Sequence, residues 1–263
     1  MSTYESNYWH LVVDVLTKGD KTTDRTNTGT LEKLGMRFHV PGDDPSFPIL
    51  TGRKLHYKGV LGELAAFLRG ADTVKQFEEF GCNYWKAWAD EDGKLGPIYG
   101  VNWLKNKQLA TVIEKAKHSP NSRQLIVNAW DPATLKEMAL PPCHFAFQLL
   151  IRGDRVHIVI YQRSLDIMVG LPSDVILYKV LQMLIAKELG LRPGDLTFML
   201  GSAHIYSNHI TAAKEYIVRP TRRPPVIWRL ADHADTTNFV PDMFHMSGYD
   251  SEPPLSNALT LNV

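Results

Sequence analysis

The chain has 263 residues, 44% hydrophobic and 22% charged, enough for a sizeable buried core and ordinary for a globular protein. Its 29 Lys and Arg against 28 Asp and Glu leave a formal net charge of +1. That balance gives no reason to expect a nucleic acid polymer as partner, and any anionic ligand must be gripped by a local basic cluster.

Tyr4 to Lys18 has helical apolar spacing and stops at Gly19. The polar stretch from Thr22 to Thr30 reads as a loop before a strand. Leu61 to Arg69 reads as a buried helix stopped by Gly70, and it carries Glu63, an unusual residue among apolar neighbours. Leu109 to Lys117 reads as a further helix and Arg123 to Trp130 as a strand. Phe145 to Ile151 and Val156 to Gln162 alternate about Arg152-Gly153-Asp154, the pattern of a hairpin. Val175 to Leu189 is a long apolar helix ending at Gly190. There is no repeat, low-complexity tract or Gly/Ser linker, so residues 1–263 read as a single domain. Strands and helices mix without regular βαβ alternation, which favours an α+β fold over a doubly wound sheet. No apolar run approaches a membrane span, and Met1-Ser2-Thr3-Tyr4-Glu5 lacks a signal-peptide pattern, so no membrane partner is expected. The only cysteines, Cys82 and Cys143, argue against a disulfide framework and for a reducing, cytoplasmic setting.

Cys143 stands in Leu140-Pro141-Pro142-Cys143-His144, twenty residues before Gln162-Arg163-Ser164-Leu165-Asp166. A cysteine becomes a nucleophile when nearby positive charge stabilises its thiolate. Arg163 supplies that charge if the hairpin brings it near, whereas His144 can point away. Cys82, in Gly81-Cys82-Asn83, has no such context and reads as a small buried hydrophobe. A carboxylate in an apolar helix, as at Glu63, has its pKa raised by desolvation, which suits acid/base work near neutral pH.

The chain resembles thymidylate synthase along nearly its whole length. The motifs are Asp24-Arg25-Thr26-Asn27-Thr28-Gly29-Thr30, Trp85-Lys86-Ala87-Trp88-Ala89-Asp90-Glu91-Asp92-Gly93 and Leu95-Gly96-Pro97-Ile98-Tyr99-Gly100. They continue with Ser122-Arg123, Pro142-Cys143-His144, Gln162-Arg163-Ser164, Gly170-Leu171-Pro172 and His204-Ile205-Tyr206-Ser207-Asn208-His209. The resemblance implies a layered fold, a mixed β-sheet packed with helices, whose sheet face joins two subunits in a homodimer with shared active sites. It implies that Arg25, Arg163 and Ser164 bind a nucleotide 5′-phosphate, with Arg123 donated by the partner subunit. Guanidinium forks suit such a dianion. Gln162, in the same motif, goes with the substrate-binding residues, and His204 with Tyr206 hold the sugar 3′-hydroxyl. Cys143 is the nucleophile, Glu63 manages protons, and Tyr99 orients the proton network. Trp85, Asp166 and Gly170 line the site of a reduced folate, 5,10-methylenetetrahydrofolate, as co-substrate. Four positions depart from the family pattern: Gln124 for a second arginine, Ser173 for a phenylalanine of the folate wall, Ser202 for an aspartate, and Asp174 for an asparagine.

Asp174 stands where the family places the asparagine that reads uracil. Uracil offers an N3–H donor and an O4 acceptor; cytosine offers an N4 amine donor and an N3 acceptor. A carboxylate accepts from N4, and its proton, or one shared with N3, completes the pair. Facing uracil O4, an ionised aspartate sets acceptor against acceptor. The exchange points to a cytidine monophosphate and resembles the deoxycytidylate hydroxymethylase branch of the family. The expected reaction is C5 hydroxymethylation of dCMP through a Cys143–C6 adduct. Alternatives are C5 methylation of dCMP, thymidylate synthesis on dUMP, a CMP hydroxymethylase, or a non-catalytic nucleotide- or RNA-binding relative. Asp174 could instead simply cap a helix starting at Val175.

Overall fold

The computed structural model describes residues 2–23, 26–221, 224–257 and 259–262. Helix α1 (Thr3–Lys18) opens with Ser2 Oγ accepting from the Glu5 N–H at 3.2 Å and buries Tyr4, Tyr8, Leu11, Val12 and Val15 as one stripe. Strands β1 (Asp20–Thr22) and β2 (Thr30–Val40) follow. Helix α2 spans Tyr57–Phe67, beginning earlier than the apolar pattern suggests. Its first turns carry Gly59 and Gly62, which weaken local helix propensity, but tertiary packing requires a small residue: a Cβ at Gly62 would sit 2.3 Å from the Phe80 carbonyl oxygen. The expected stop at Gly70 holds. Gly70 has φ +68°, its N–H bonds Phe67 O at 3.0 Å, and the Ala71 N–H bonds Ala66 O at 3.0 Å, which closes the helix in a Schellman motif.

Three more helices, α3 (Val74–Glu78), α4 (Tyr99–Leu104) and α5 (Gln108–His118), precede β3 (Ile126–Asn128). That strand is shorter than the expected Arg123 to Trp130, because the Asn128 side chain bonds both the N–H and the C=O of Trp130 and turns the chain out of the ladder. Strands β4 (His144–Arg152) and β5 (Arg155–Asp166) form the anticipated hairpin, with Gly153 at φ +57° in its two-residue turn. Helix α6 covers Gly170–Glu188, five residues ahead of the expected Val175 start. Pro172 falls in its first turn, where no intrahelical N–H is needed. Val169 occupies the cap position, so Asp174 lies inside the helix and the capping alternative for it is removed. Then come β6 (Arg192–Tyr206), α7 (Ile210–Ile217) and a small ribbon of β7 (Ile227–Leu230) with β8 (Phe244–Ser247).

The main sheet runs β1-β2-β6-β5-β4-β3. Every neighbouring pair is antiparallel except β5 with β6, which are parallel and joined through α6. The fold is therefore α+β with a mixed sheet packed by helices. Helix α6 is buried nearly all round, between the sheet and α2. On the opposite face, Ile126, Gln148, Val159 and Thr197 align across four strands, and Tyr161 and Met199 form the next row. Ile126 is 44% and Met199 42% exposed, which is unusual for apolar side chains on a sheet face. Among the described residues no helix is long and apolar enough to cross a membrane.

Candidate active site

Cys143 lies just before β4, and strand alternation turns it and His144 to opposite sides. The Cys143 N–H donates to Tyr99 Oη at 2.8 Å, and its carbonyl accepts from the Arg163 N–H on β5 at 2.9 Å. The Arg163 guanidinium then folds over the same loop. Its Nε–H donates to Pro142 O at 2.9 Å and one terminal nitrogen to Pro141 O at 2.7 Å, leaving that nitrogen 3.9 Å from Cys143 Sγ. A fixed, always-charged group beside the sulfur favours the thiolate. Arg163 also faces the Trp130 ring, 5.8 Å from its centroid.

His144 is buried on the other side. Its ring lies 4.3 Å from that of Tyr99, its Nδ1 is 2.9 Å from Tyr178 Oη, and its Nε2 is 3.8 Å from Asp174 Oδ1. Burial depresses its pKa to about 3, so the ring is neutral and gives neither the thiol nor Asp174 a counter-charge. Burial likewise holds Tyr99 well above its ordinary pKa, with any charge on Cys143 adding to the effect, so the phenol keeps its proton.

Gln162, opposite His144 in the hairpin register, donates from Nε2 to Asp174 Oδ2 at 2.7 Å. Its own Oε1 is buried with no hydrogen-bond partner among the described residues. The Asp174 side chain is 14% exposed; burial raises its pKa to about 7 against the opposing Gln162 bond. Glu63, from α2, is also pushed up to about 7 by burial, while the Tyr84 hydroxyl and the Trp85 indole favour its ionised form. The Trp85 Nε1–H reaches Glu63 Oε1 at 2.7 Å. Trp85 itself is only 4% exposed and packs among Phe67, Phe77 and Tyr99. Two carboxyl groups that titrate near neutrality, beside a cation-flanked thiol, form a constellation suited to covalent addition with proton transfer.

Asp166 ends β5, where Oδ1 accepts from the N–H groups of Met168 at 2.8 Å and Val169 at 3.1 Å, and Oδ2 lies 3.6 Å from His209 Nδ1. Gly170 fits between the two aspartates: a Cβ there would be 3.9 Å from both Asp166 Cβ and Asp174 Oδ2. Ser173 turns its hydroxyl to Val169 O at 3.2 Å, so it points along its own helix. On β6, His204 and Tyr206 meet edge to face with centroids 5.0 Å apart, and Ser164 pairs in register with Ser202. Ser202 Oγ contacts the carboxylate of Glu32 and lies 3.2 Å from His204 Nδ1.

Arg123 is not part of this cluster within one chain. It is exposed in the loop into β3, beside a surface groove with Lys115, His118 and Gln124, where Lys115 Nζ donates to Gln124 Oε1 at 2.6 Å. Arg25 lies outside the described residues. Sequence reasoning missed Tyr178 and Glu32: the first looks like one more apolar helix residue, and the second is joined to Ser202 from 170 residues away. The family model for thymidylate synthase matches residues 6–261.

Proposed function

The chain belongs to the thymidylate synthase family, and we propose that it transfers a one-carbon unit from 5,10-methylenetetrahydrofolate to C5 of dCMP and adds water, releasing 5-hydroxymethyl-dCMP and tetrahydrofolate. Folate-dependent one-carbon transfer to a pyrimidine nucleotide is the family's chemistry. The finer assignment rests chiefly on Asp174 and Gln162. The carboxyl oxygens of Asp174 and the unpartnered Oε1 of Gln162 crowd acceptors into one buried spot. An exocyclic amine satisfies acceptors, whereas uracil O4 would add another. The raised pKa of Asp174 keeps a proton available for cytosine N3 near neutrality.

In this reading Arg163 and Ser164, with Arg25 and the partner-donated Arg123, bind the 5′-phosphate, and His204 with Tyr206 hold the sugar. The Cys143 thiolate adds to C6, pushing electrons towards N3 and the C4 amine, where Asp174 supports the gathering charge. The C5 carbon bonds the folate methylene, loses its proton to Glu63 or water held by it, and expels tetrahydrofolate. Water adds to the resulting exocyclic methylene, and Cys143 departs from C6 as that bond breaks. No net oxidation occurs. Tyr99 steadies the Cys143 loop through its N–H bond. Asp166 and Gly170, beside Asp174, border the folate side, and Trp85 contributes through its bond to Glu63. The chain acts as a single catalytic domain, and the exposed sheet face around Tyr161 and Met199 is the surface for a second copy, which would present Arg123. Two free cysteines suit a reducing cytoplasm.

Mass spectrometry of the product from dCMP and methylenetetrahydrofolate tests the proposal. A gain of CH₂O supports it, a gain of CH₂ indicates methylation instead, and efficient turnover of dUMP with none of dCMP overturns the base assignment. Running CMP beside dCMP settles the sugar preference.

A further inference from the structure

Asp166 ends β5 in a local loop where its Oδ1 accepts from the Met168 N–H at 2.8 Å and the Val169 N–H at 3.1 Å. Each of those N–H groups belongs to a peptide unit whose carbonyl is held from the other side. The Ile167 carbonyl, in one plane with the Met168 N–H, accepts from the Tyr8 hydroxyl at 3.0 Å. The Met168 carbonyl, in one plane with the Val169 N–H, accepts from the Arg53 guanidinium. In a trans peptide the C=O and N–H point in opposite directions, so fixing one end aims the other. Tyr8 and Arg53 are both buried, and they stand 159 and 115 residues from the carbonyls they hold. Burial lifts the Tyr8 pKa to about 12, which keeps its proton for donation. Arg53 is set in turn by α1, because the Glu5 carboxylate accepts from the Thr51 and Gly52 N–H groups just before it, at 2.7 and 2.8 Å.

We propose that Tyr8 and Arg53 are positioning residues that act through these two peptide units to lock the Asp166 carboxylate in the orientation that meets the reduced folate. The inference rests on the reading of Asp166 as bordering the folate side. An aspartate free to turn loses rotamer freedom when a ligand binds, whereas one already pinned by two N–H groups does not, so pinning adds affinity. Each anchor also polarises its peptide unit and strengthens the N–H at the far end, the charged guanidinium more than the phenol. The local turn at Asp166 is therefore set by α1 and by the segment before α2, distant in sequence from the site they serve. Neither Tyr8 nor Arg53 need touch the folate, since the effect crosses one peptide unit.

Amide hydrogen exchange in the full-length protein without ligand reads the two anchors separately. Tyr8→Phe should speed exchange at Met168, and Arg53→Met at Val169, each by about two- to tenfold for the loss of one hydrogen bond, with the neighbouring strands unchanged. Arg53→Lys, which still donates to a carbonyl, should keep most of the Val169 protection. In turnover of dCMP, Tyr8→Phe and Arg53→Met should raise the KM for methylenetetrahydrofolate over the same range. The KM for dCMP should stay within about twofold, because Gln162 holds Asp174 independently. Unaltered exchange at Met168 in folded Tyr8→Phe would overturn the inference, as would a rise spread evenly over the sheet. Asp166→Ala separates the inference from its premise. If that variant raises the folate KM while Tyr8→Phe and Arg53→Met do not, the positioning role is wrong. If Asp166→Ala itself leaves the folate KM unchanged, the folate-side reading of Asp166 fails instead.

Discussion

Asp174→Asn is the most informative substitution in the site. The side chain keeps its shape, and its carbonyl oxygen can still accept the 2.7 Å bond from Gln162, so packing should survive. What changes is the hydrogen-bond pattern shown to the base. For uracil, the amide replaces an acceptor facing O4 with a donor. For cytosine, it removes the proton that N3 needs and sets a donor against the exocyclic amine. Leaving one buried polar group unsatisfied costs about 1–3 kcal/mol, and the two bases change in opposite directions, so the difference is roughly 2–6 kcal/mol. At about 1.4 kcal/mol per tenfold, the ratio of kcat/KM for dCMP over dUMP should fall by roughly one and a half to four powers of ten. Much of it should appear in kcat, because charge reaches N3 only after Cys143 has added to C6. Tritium release from C5-labelled dCMP and dUMP measures both ratios directly. Since Asp174 lies inside α6 and Val169 holds the cap position, helix capping offers no competing explanation for a shift. A ratio within about threefold of the wild type would refute base reading by Asp174 and return dUMP to the front.

Cys143→Ser should lose turnover while keeping nucleotide binding, measured by calorimetry, because a hydroxyl is a poor nucleophile at neutral pH. Arg163→Ala should raise the nucleotide KM and lower kcat together, and thiol alkylation rates should show a higher Cys143 pKa once the guanidinium 3.9 Å from Sγ is gone; a change confined to folate affinity would contradict its placement. The value of kcat/KM for dCMP should decline as pH rises through about 7, where Asp174 loses its proton, and a profile flat to pH 9 would count against that role. Glu63 binds its proton more tightly folded than unfolded, since burial lifts its pKa to about 7 from 4.5. Its effect on stability is therefore unfavourable and grows as pH rises from about 4.5 to 7, after which it is constant. Glu63→Gln should remove that cost, at most about 3 kcal/mol, so its melting temperature should exceed that of the wild type at pH 8 but not at pH 4, as calorimetry can check.

Much of this architecture was legible where one residue dictates the backbone. Gly70, at φ +68°, and Gly190, at φ +67°, end their helices as expected, and Gly153 turns the hairpin. Helix starts were less legible: α2 begins at Tyr57, ahead of the expected Leu61, and takes in Gly59, and α6 absorbs Gly170 to Asp174 although its apolar run begins later. In the site, the closeness of Cys143 and Arg163 followed from a hairpin visible in the sequence. The opposite orientation of His144, buried and neutral, follows from strand alternation but needed Tyr178 to give it meaning. Nothing local announces the Gln162–Asp174 bond or the contact of Glu32 with Ser202, since both depend on how distant segments meet.

The pairing of β2 with β6 also sets a schedule. Thr30 meets Tyr206, so the second strand of the sheet finds its inner neighbour only after most of the chain exists. At about 5–20 residues per second, a ribosome takes on the order of 10–30 s to make that stretch. Throughout that interval the inner edge of β2 has no sheet partner, and β5, once made, lacks its parallel neighbour until β6 follows. Exposed strand edges recruit other strands, so the nascent chain passes through a window in which self-association competes with folding. Ribosome-bound chains ending before Arg192 should accordingly depend on chaperones for solubility far more than chains released after Tyr206, a contrast that sedimentation of stalled complexes would expose.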